Sequence, residues 1–163
     1  MKKNSAKKLT FGALIASSYV ILTILSNFLG LASGPIQFRL SEALTVFAFL
    51  DFYAVGGLGV GCLLSNILIG SSLWDIVFGS IATFIGALGT YYISRINKKL
   101  LWLPPVVSNT LIIPLILRYV YEIPKSYFYF VLTVGVGEIA MCLVCGMSIY
   151  RLTKDRIKYI GGK

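Results

Sequence analysis

Apolar segments of about twenty residues follow one another along this chain, with only short polar breaks between them. Hydrophobic residues make up 57% of the sequence and charged residues only 13%, which exceeds the apolar content of ordinary soluble domains. A helix needs about 20 apolar residues to cross a bilayer, so six crossings with tight turns would use nearly all of the chain. The sequence therefore predicts one all-helical membrane domain over residues 1–163, without room for a separate catalytic or nucleotide-binding domain.

Breaks in the apolar pattern place the predicted spans. Gly30 to Pro35 ends the first span, Asp51 interrupts after the second, and two prolines at 104 and 105 suit the first turn of the fifth. The second span is short for a full crossing and is expected to tilt or to merge with the following turn. The predicted spans are residues 9–30, 40–49, 53–69, 76–93, 104–121 and 127–150.

The basic residues predict the orientation of these spans. Twelve of the fifteen Lys and Arg residues fall at the N-terminus, between the fourth and fifth spans, and at the C-terminus. The other three are Arg39, Arg118 and Lys125, which lie on the opposite side. The positive-inside rule then places both termini in the cytoplasm. Basic flanks of this kind meet anionic lipid head groups, so no nucleic-acid partner is expected.

The residue inventory excludes several kinds of site. The chain has no histidine, which excludes a histidine-based catalytic triad and the usual zinc sites. Cys62, Cys142 and Cys145 lie in apolar stretches and are interpreted as small buried hydrophobes. We expect no metal and no cofactor. A membrane enzyme acting on lipids is disfavoured because paired catalytic acids are missing, so we predict that the chain is not an enzyme.

Polar residues gather near the predicted outer face of the bundle. A charged side chain in lipid costs a few kcal/mol, so one that is retained there needs a partner, water or a ligand. The sequence therefore predicts a substrate pocket that opens to the outside. The candidate substrate-binding residues are Gln37, Arg39, Glu42, Asn66, Trp74, Asp75, Asn109 and Glu138.

The string Gly-Pro-Ile-Gln-Phe-Arg-Leu-Ser-Glu-Ala-Leu at residues 34–44 resembles the signature of the QueT family of queuosine-precursor transporters. Further strings at 61–66 and 75–80, the prolines at 104 and 105 with Asn109, and the Gly137-Glu138 pair agree with it. Members of this family are similar to the substrate-binding (S) components of energy-coupling factor transporters. The resemblance implies six helices and a site for a 7-deazaguanine base near the outer face.

The resemblance also implies partners. S-components work with a transmembrane coupling subunit and two cytoplasmic ATPases, and this chain carries no phosphate-binding Gly-x-x-x-x-Gly-Lys-Ser/Thr string of its own. They dock through small residues four apart on the first helix. The matching positions are Gly12 with Ala16 and Ala13 with Ser17, which depart from the usual alanine pair. The same small residues would also suit packing within the bundle.

A guanine-type edge presents a carbonyl acceptor beside N–H donors. A carboxylate accepts two such N–H groups, while an amide or an arginine donates to the carbonyl. Glu42, Asp75 and Glu138 are the acid candidates, and a second carboxylate would pair with an aminomethyl cation. Trp74 or Phe38 would stack on the flat ring.

Several alternatives remain open at this point. Arg39 and Glu42 would either contact the ligand or pair only with each other, and Asp75 would either bind ligand or cap the fourth helix. Asp51 is expected to face water or the coupling subunit, and Arg118 with Glu122 is interpreted as a surface ion pair. Alternative functions are an S-component for a flavin or a pterin, the lipid enzyme, and a structural protein.

Overall fold

The chain is described by a computed structural model over residues 2–32 and 36–160, with side chains over 5–32 and 36–154. These residues form helices and turns, and no strand occurs among them. The predicted Gly34-Pro35 turn lies outside the described residues. The helices are α1 (Lys2–Phe28), a short 3₁₀ helix (Leu40–Phe49), α2 (Phe52–Leu68), α3 (Ser80–Ile93), α4 (Leu103–Tyr119), α5 (Tyr127–Glu138) and α6 (Met147–Ile160).

Four stretches in the described part are long and apolar enough to cross a membrane: Ser5–Phe28, Asp75–Ile93, Lys98–Tyr119 and Tyr127–Lys154. The second of these includes a π-helical turn before α3, and the last runs from α5 through a π-helical segment, Ile139–Gly146, into α6. The short helix and α2 are apolar but shorter. The prediction of an all-helical fold with apolar membrane-type helices is confirmed.

The short helix lies at the centre of the fold. Seven of its ten residues are buried, including Ser41, Glu42 and Thr45. It packs against α1, α2, α3, the π-helical segment Ile139–Gly146 and α6. A run of ten residues is long for a 3₁₀ helix, since its hydrogen bonds are poorer than those of an α-helix. Its buried polar side chains need partners inside the protein because they are almost completely removed from bulk water.

Helices α1 and α2 touch through their backbones. A Cβ placed on Gly57 would lie 2.3 Å from the Gly12 carbonyl oxygen, and one on Gly12 would lie 2.6 Å from the Tyr53 oxygen. Only glycine permits such an approach, as at small-residue helix contacts in membranes. Next to this contact lies a buried core that α1 and α2 share with the short helix and α3. It includes Ile15, Tyr19 and Leu58.

Asp51 fixes the turn between the short helix and α2. Its side chain accepts the Tyr53 backbone N–H at 3.1 Å, which caps α2. Its carboxylate also pairs with Lys8 Nζ at 2.7 Å. Partial burial raises the pKa of Asp51, but the Lys8 hydrogen bond and the Tyr53 amide outweigh burial, so the pKa lies below its ordinary value. Asp51, which the sequence analysis expected to face water or a partner, therefore also forms an ion pair with α1.

The expected ion pair between Arg118 and Glu122 does not form. Within the described ranges, the ion pair shorter than 4.0 Å is the one between Lys8 and Asp51. Arg118 instead donates from Nη1 to the Ile123 carbonyl at 3.3 Å. Glu122 occupies the turn after α4 with φ of 51°, a left-handed conformation in which the chain no longer follows the helical i, i+4 spacing that the prediction assumed.

Candidate functional site

Five of the predicted site residues line one small cavity among the helices, which we call the acid cavity. An extended segment over residues 37–39 supplies two of them, and the short helix, α4 and α5 supply one each. The cavity has a volume of about 10 Å³, which is room for about one water molecule. Its lining residues are Gln37, Arg39, Glu42, Asn109, Ile113, Val134 and Glu138.

Glu42 is held by donors from three helices. One carboxylate oxygen accepts hydrogen bonds from the hydroxyls of Tyr19 and Thr83, the latter at 3.3 Å. The other oxygen accepts from Asn109 Nδ2 at 3.4 Å. Glu42 is only 1% exposed, and its donors offset the loss of water around the charge. The carboxylate is therefore fixed in place before any ligand arrives.

Glu138 has fewer hydrogen-bond partners than Glu42. It is 8% exposed, and its carboxylate accepts a hydrogen bond from the Cys142 thiol at 3.5 Å and interacts with the Asn109 amide. A thiol is a weak donor. The Glu138 carboxylate thus lines the acid cavity with most of its acceptor capacity unused by the protein.

Glu42, Glu138 and Cys142 each offer a ligand atom, and these atoms lie within 4.8 Å of one another. Two carboxylates and a thiolate form a chemically possible metal set. The Glu42 oxygens, however, already accept three hydrogen bonds, and the Arg39 guanidinium lines the same cavity. These hydrogen bonds and the nearby positive charge disfavour a cation coordinated by all three side chains.

Arg39 forms no close ion pair with Glu42. The described part of the structure shows none shorter than 4.0 Å between them, although their charges still interact, so a direct contact of Arg39 with ligand stays a prediction. Arg39 lines both the acid cavity and a second cavity beside it. Arg39 thus lies where a ligand passing between the two cavities would meet it.

The second cavity, which we call the vestibule, has a volume of about 260 Å³. It reaches the surface at Tyr121 and Ile123, which are 44% and 36% exposed. Asp75 lines it and accepts a short hydrogen bond from the Tyr121 hydroxyl. Burial and this bond raise the pKa of Tyr121. No described backbone N–H bonds to the Asp75 side chain, so Asp75 does not act as the cap of its helix.

The structure places two predicted site residues away from both cavities. Asn66 is fully buried and donates from Nδ2 to the Asp75 carbonyl at 3.1 Å, while its Oδ1 has no partner among the described residues. Trp74 is 53% exposed and stacks on Phe78 with 5.6 Å between ring centroids. A direct contact of Asn66 or Trp74 with ligand stays a prediction.

The sequence did not point to three residues that contact the site acids. Tyr19 and Thr83 donate to Glu42, and Cys142 donates to Glu138. All three lie in apolar runs, where hydroxyls and thiols are usually interpreted as packing. The available signal is that Tyr19 falls in the middle of a predicted span rather than at a membrane interface, where tyrosines are usually found.

The small residues of α1 line an apolar groove of about 620 Å³ between α1 and α2. Gly12 is buried against α2, Ala13 and Ser17 are exposed, and Ala16 is half-buried. The groove is lined by Leu9, Gly12, Ala13, Ala16, Phe52, Tyr53, Gly56, Gly57 and Val60. Gly12 thus packs within the fold, and docking of a partner on the other small residues stays a prediction.

Comparison with known proteins identifies the family. The family described as the QueT transporter matches residues 9–155. The chain belongs to the QueT transporter family. The matched range contains every cavity residue described above, so the resemblance of residues 34–44 to this family is confirmed, and the family is one of transporters rather than enzymes.

A curated relative is the protein named queuosine precursor transporter QueT from Lactococcus lactis. It is 34% identical to this chain over 104 residues, which cover 63% of this chain and 60% of the relative. The match thus spans less than two thirds of that protein's length. No solved structure matches the chain significantly.

Proposed function

We propose that this chain is the substrate-binding membrane subunit of an energy-coupling factor transporter that imports a queuosine precursor, a 7-deazaguanine base. The observation that carries the proposal is the acid cavity of a QueT family member, where Glu42, Glu138, Asn109, Gln37 and Arg39 meet. The named relative, a queuosine precursor transporter, supports the same substrate class.

The cavity chemistry fits a guanine-type edge. Glu138 has acceptor capacity for the ring and exocyclic N–H groups, while Gln37 and Arg39 present donors for the carbonyl oxygen. Two carboxylates whose oxygens lie within 4.8 Å repel each other, and bound N–H groups or an aminomethyl cation would relieve that repulsion. The ligand occupies the vestibule, and its polar edge takes the place of water in the acid cavity, which is too small for the whole base.

The membrane arrangement in this proposal has six crossings in the cell membrane with both termini cytoplasmic. Four span-length helices and two shorter apolar ones support the count, and the flanking basic clusters support the orientation. The vestibule then opens outward. The groove on α1 and α2 receives the transmembrane coupling subunit, to which two cytoplasmic ATPases supply energy.

The proposal is tested by identifying what the chain binds. Purified protein is titrated with 7-aminomethyl- and 7-cyano-7-deazaguanine, with riboflavin and folate as competitors for the alternative vitamin classes, and any co-purified small molecule is identified by mass spectrometry. Saturable binding of a deazaguanine alone supports the proposal. Tighter binding of riboflavin or folate, or no saturable binding of any of these compounds, contradicts it.

A further inference from the structure

Gly137 on α5 is in direct contact with the backbone of the segment that precedes the short helix. A Cβ placed on Gly137 would lie 2.0 Å from the Gln37 carbonyl oxygen. Real Cβ atoms essentially never come within 3.0 Å of such an atom, so any side chain there would push the carbonyl away by about 1 Å. Gly135, two residues earlier on the same helix, differs: its nearest neighbour, a Thr110 methyl, would be at an ordinary 3.6 Å.

The segment that touches Gly137 is held at two further points. The Phe38 N–H donates to the Leu31 carbonyl at 2.8 Å, and the Leu40 N–H donates to Ser26 Oγ at 2.9 Å. Both acceptors lie on or directly after α1. The segment is therefore fixed to α1 on one side and rests on α5 on the other.

The same segment forms the wall between the two cavities. Arg39 has an extended conformation, with φ of −94° and ψ of 100°, and in an extended chain residues two apart point to the same side. Gln37 and Arg39 accordingly both line the acid cavity and the vestibule. The position of this segment therefore determines the positions of the Gln37 and Arg39 side chains relative to Glu138.

We propose that Gly137 is a positioning residue for ligand binding, because the space left by its missing side chain lets the Gln37–Arg39 wall lie against α5. This inference rests on the proposed function for the identity of the ligand. Binding groups work only when held within about 0.5 Å of the productive geometry. The displacement that a methyl group at position 137 imposes is larger than that tolerance.

The test compares Gly137→Ala with the matched control Gly135→Ala. The first readout is the affinity for 7-aminomethyl-7-deazaguanine, measured by titration of purified protein. The second uses no ligand: it is the rate at which a small methanethiosulfonate modifies Cys142, mapped by mass spectrometry. Cys142 is 2% exposed and contacts Glu138, which lines the acid cavity together with the wall residues, so we expect displacement of the wall to speed its modification.

We expect Gly137→Ala to bind at least tenfold more weakly and to be modified at Cys142 at least tenfold faster, with Gly135→Ala like the parent in both. Equal behaviour of the two variants overturns the inference. If the parent binds no deazaguanine, the proposed function fails while the Cys142 rates still decide the inference. Should Gly137→Ala not fold, Ser26→Ala loosens the same wall from α1: faster Cys142 modification supports the inference, and an unchanged rate overturns it.

Discussion

Replacing Glu138 by glutamine tests whether this acid binds the ligand or only stabilises the fold. The change keeps the shape of the side chain and removes its charge. In the unliganded protein little is lost, because the carboxylate interacts only with a weakly donating thiol and with the Asn109 amide, which donates to Glu42 as well. Since its oxygens lie within 4.8 Å of those of Glu42, removing one charge also relieves repulsion. We expect the thermal stability of the unliganded variant to equal or exceed that of the parent.

Ligand binding should respond in the opposite direction. Each hydrogen bond to a charged group contributes about 1.5–3 kcal/mol, which corresponds to a loss of roughly 10- to 150-fold in affinity when one such bond is lost. The glutamine amide also turns a donor toward the N–H groups of the base. A loss of at least tenfold in deazaguanine affinity is therefore expected for Glu138→Gln.

Glu42→Gln is the matched comparison. Its carboxylate accepts hydrogen bonds from Tyr19, Thr83 and Asn109, and a glutamine NH₂ group would face at least one of these donors. An unsatisfied buried group costs about 1–3 kcal/mol. We therefore expect Glu42→Gln to lower both the melting temperature and the affinity.

The assay is calorimetric titration with 7-aminomethyl-7-deazaguanine together with thermal unfolding of the same samples without ligand. The two variants should differ in melting temperature while both bind weakly. Normal binding by Glu138→Gln would show that the acid is not a ligand group. A drop in its melting temperature equal to that of Glu42→Gln would show that it is a structural one.

Three further outcomes follow from the contacts described. The charge swap Arg39→Glu with Glu42→Arg should not restore binding lost in the single variants, because the two side chains form no close ion pair; recovery in a double-mutant titration would contradict this. Asp51→Ala should cost about 1 kcal/mol of unfolding free energy through the lost cap, and Asp51→Asn less than half of that, as measured by denaturant unfolding. Because the pKa of Asp51 is lowered in the folded state, the stability gained from its charge is present above the ordinary carboxyl pKa and is lost as pH falls through the lowered value. Ala13→Phe should abolish uptake in cells but leave deazaguanine binding intact. The control Leu14→Phe, at an exposed residue outside the groove, should change neither uptake nor binding. Lost binding in Ala13→Phe would show that the residue packs within the fold.

The helical architecture could be predicted from hydropathy because lipid leaves the backbone few other ways to satisfy its hydrogen bonds. The convergence of Glu42, Asn109 and Glu138 was foreseeable for a similar reason: polar groups in apolar helices are costly unless they meet. What hydropathy could not give is the partner of each group. Arg39 and Glu42 are three residues apart in the sequence. In the structure, however, the Glu42 carboxylate accepts its hydrogen bonds from Tyr19, Thr83 and Asn109.

Asn66 shows a second limit of the sequence. An amide in an apolar helix serves ligand binding and helix packing with the same chemistry, and only the position of the Asp75 carbonyl shows that Asn66 joins α2 to the turn before α3. The vestibule depends on Tyr121, which follows α4 in a turn whose backbone includes the left-handed Glu122. Turn conformations of non-glycine residues are poorly specified by composition.

The winding of the short helix fixes its length. Ten residues rise about 20 Å in a 3₁₀ helix and about 15 Å in an α-helix, so the tighter winding lets a brief segment reach well across the hydrocarbon layer. With three residues per turn, Glu42 and Thr45 stand in line, and Thr45 Oγ1 lies 3.7 Å from Cys142 Sγ. One residue inserted between them would turn everything beyond it by about 120° and separate Thr45 from that thiol. An insertion in one of the surface turns, by contrast, leaves this register of the short helix unchanged.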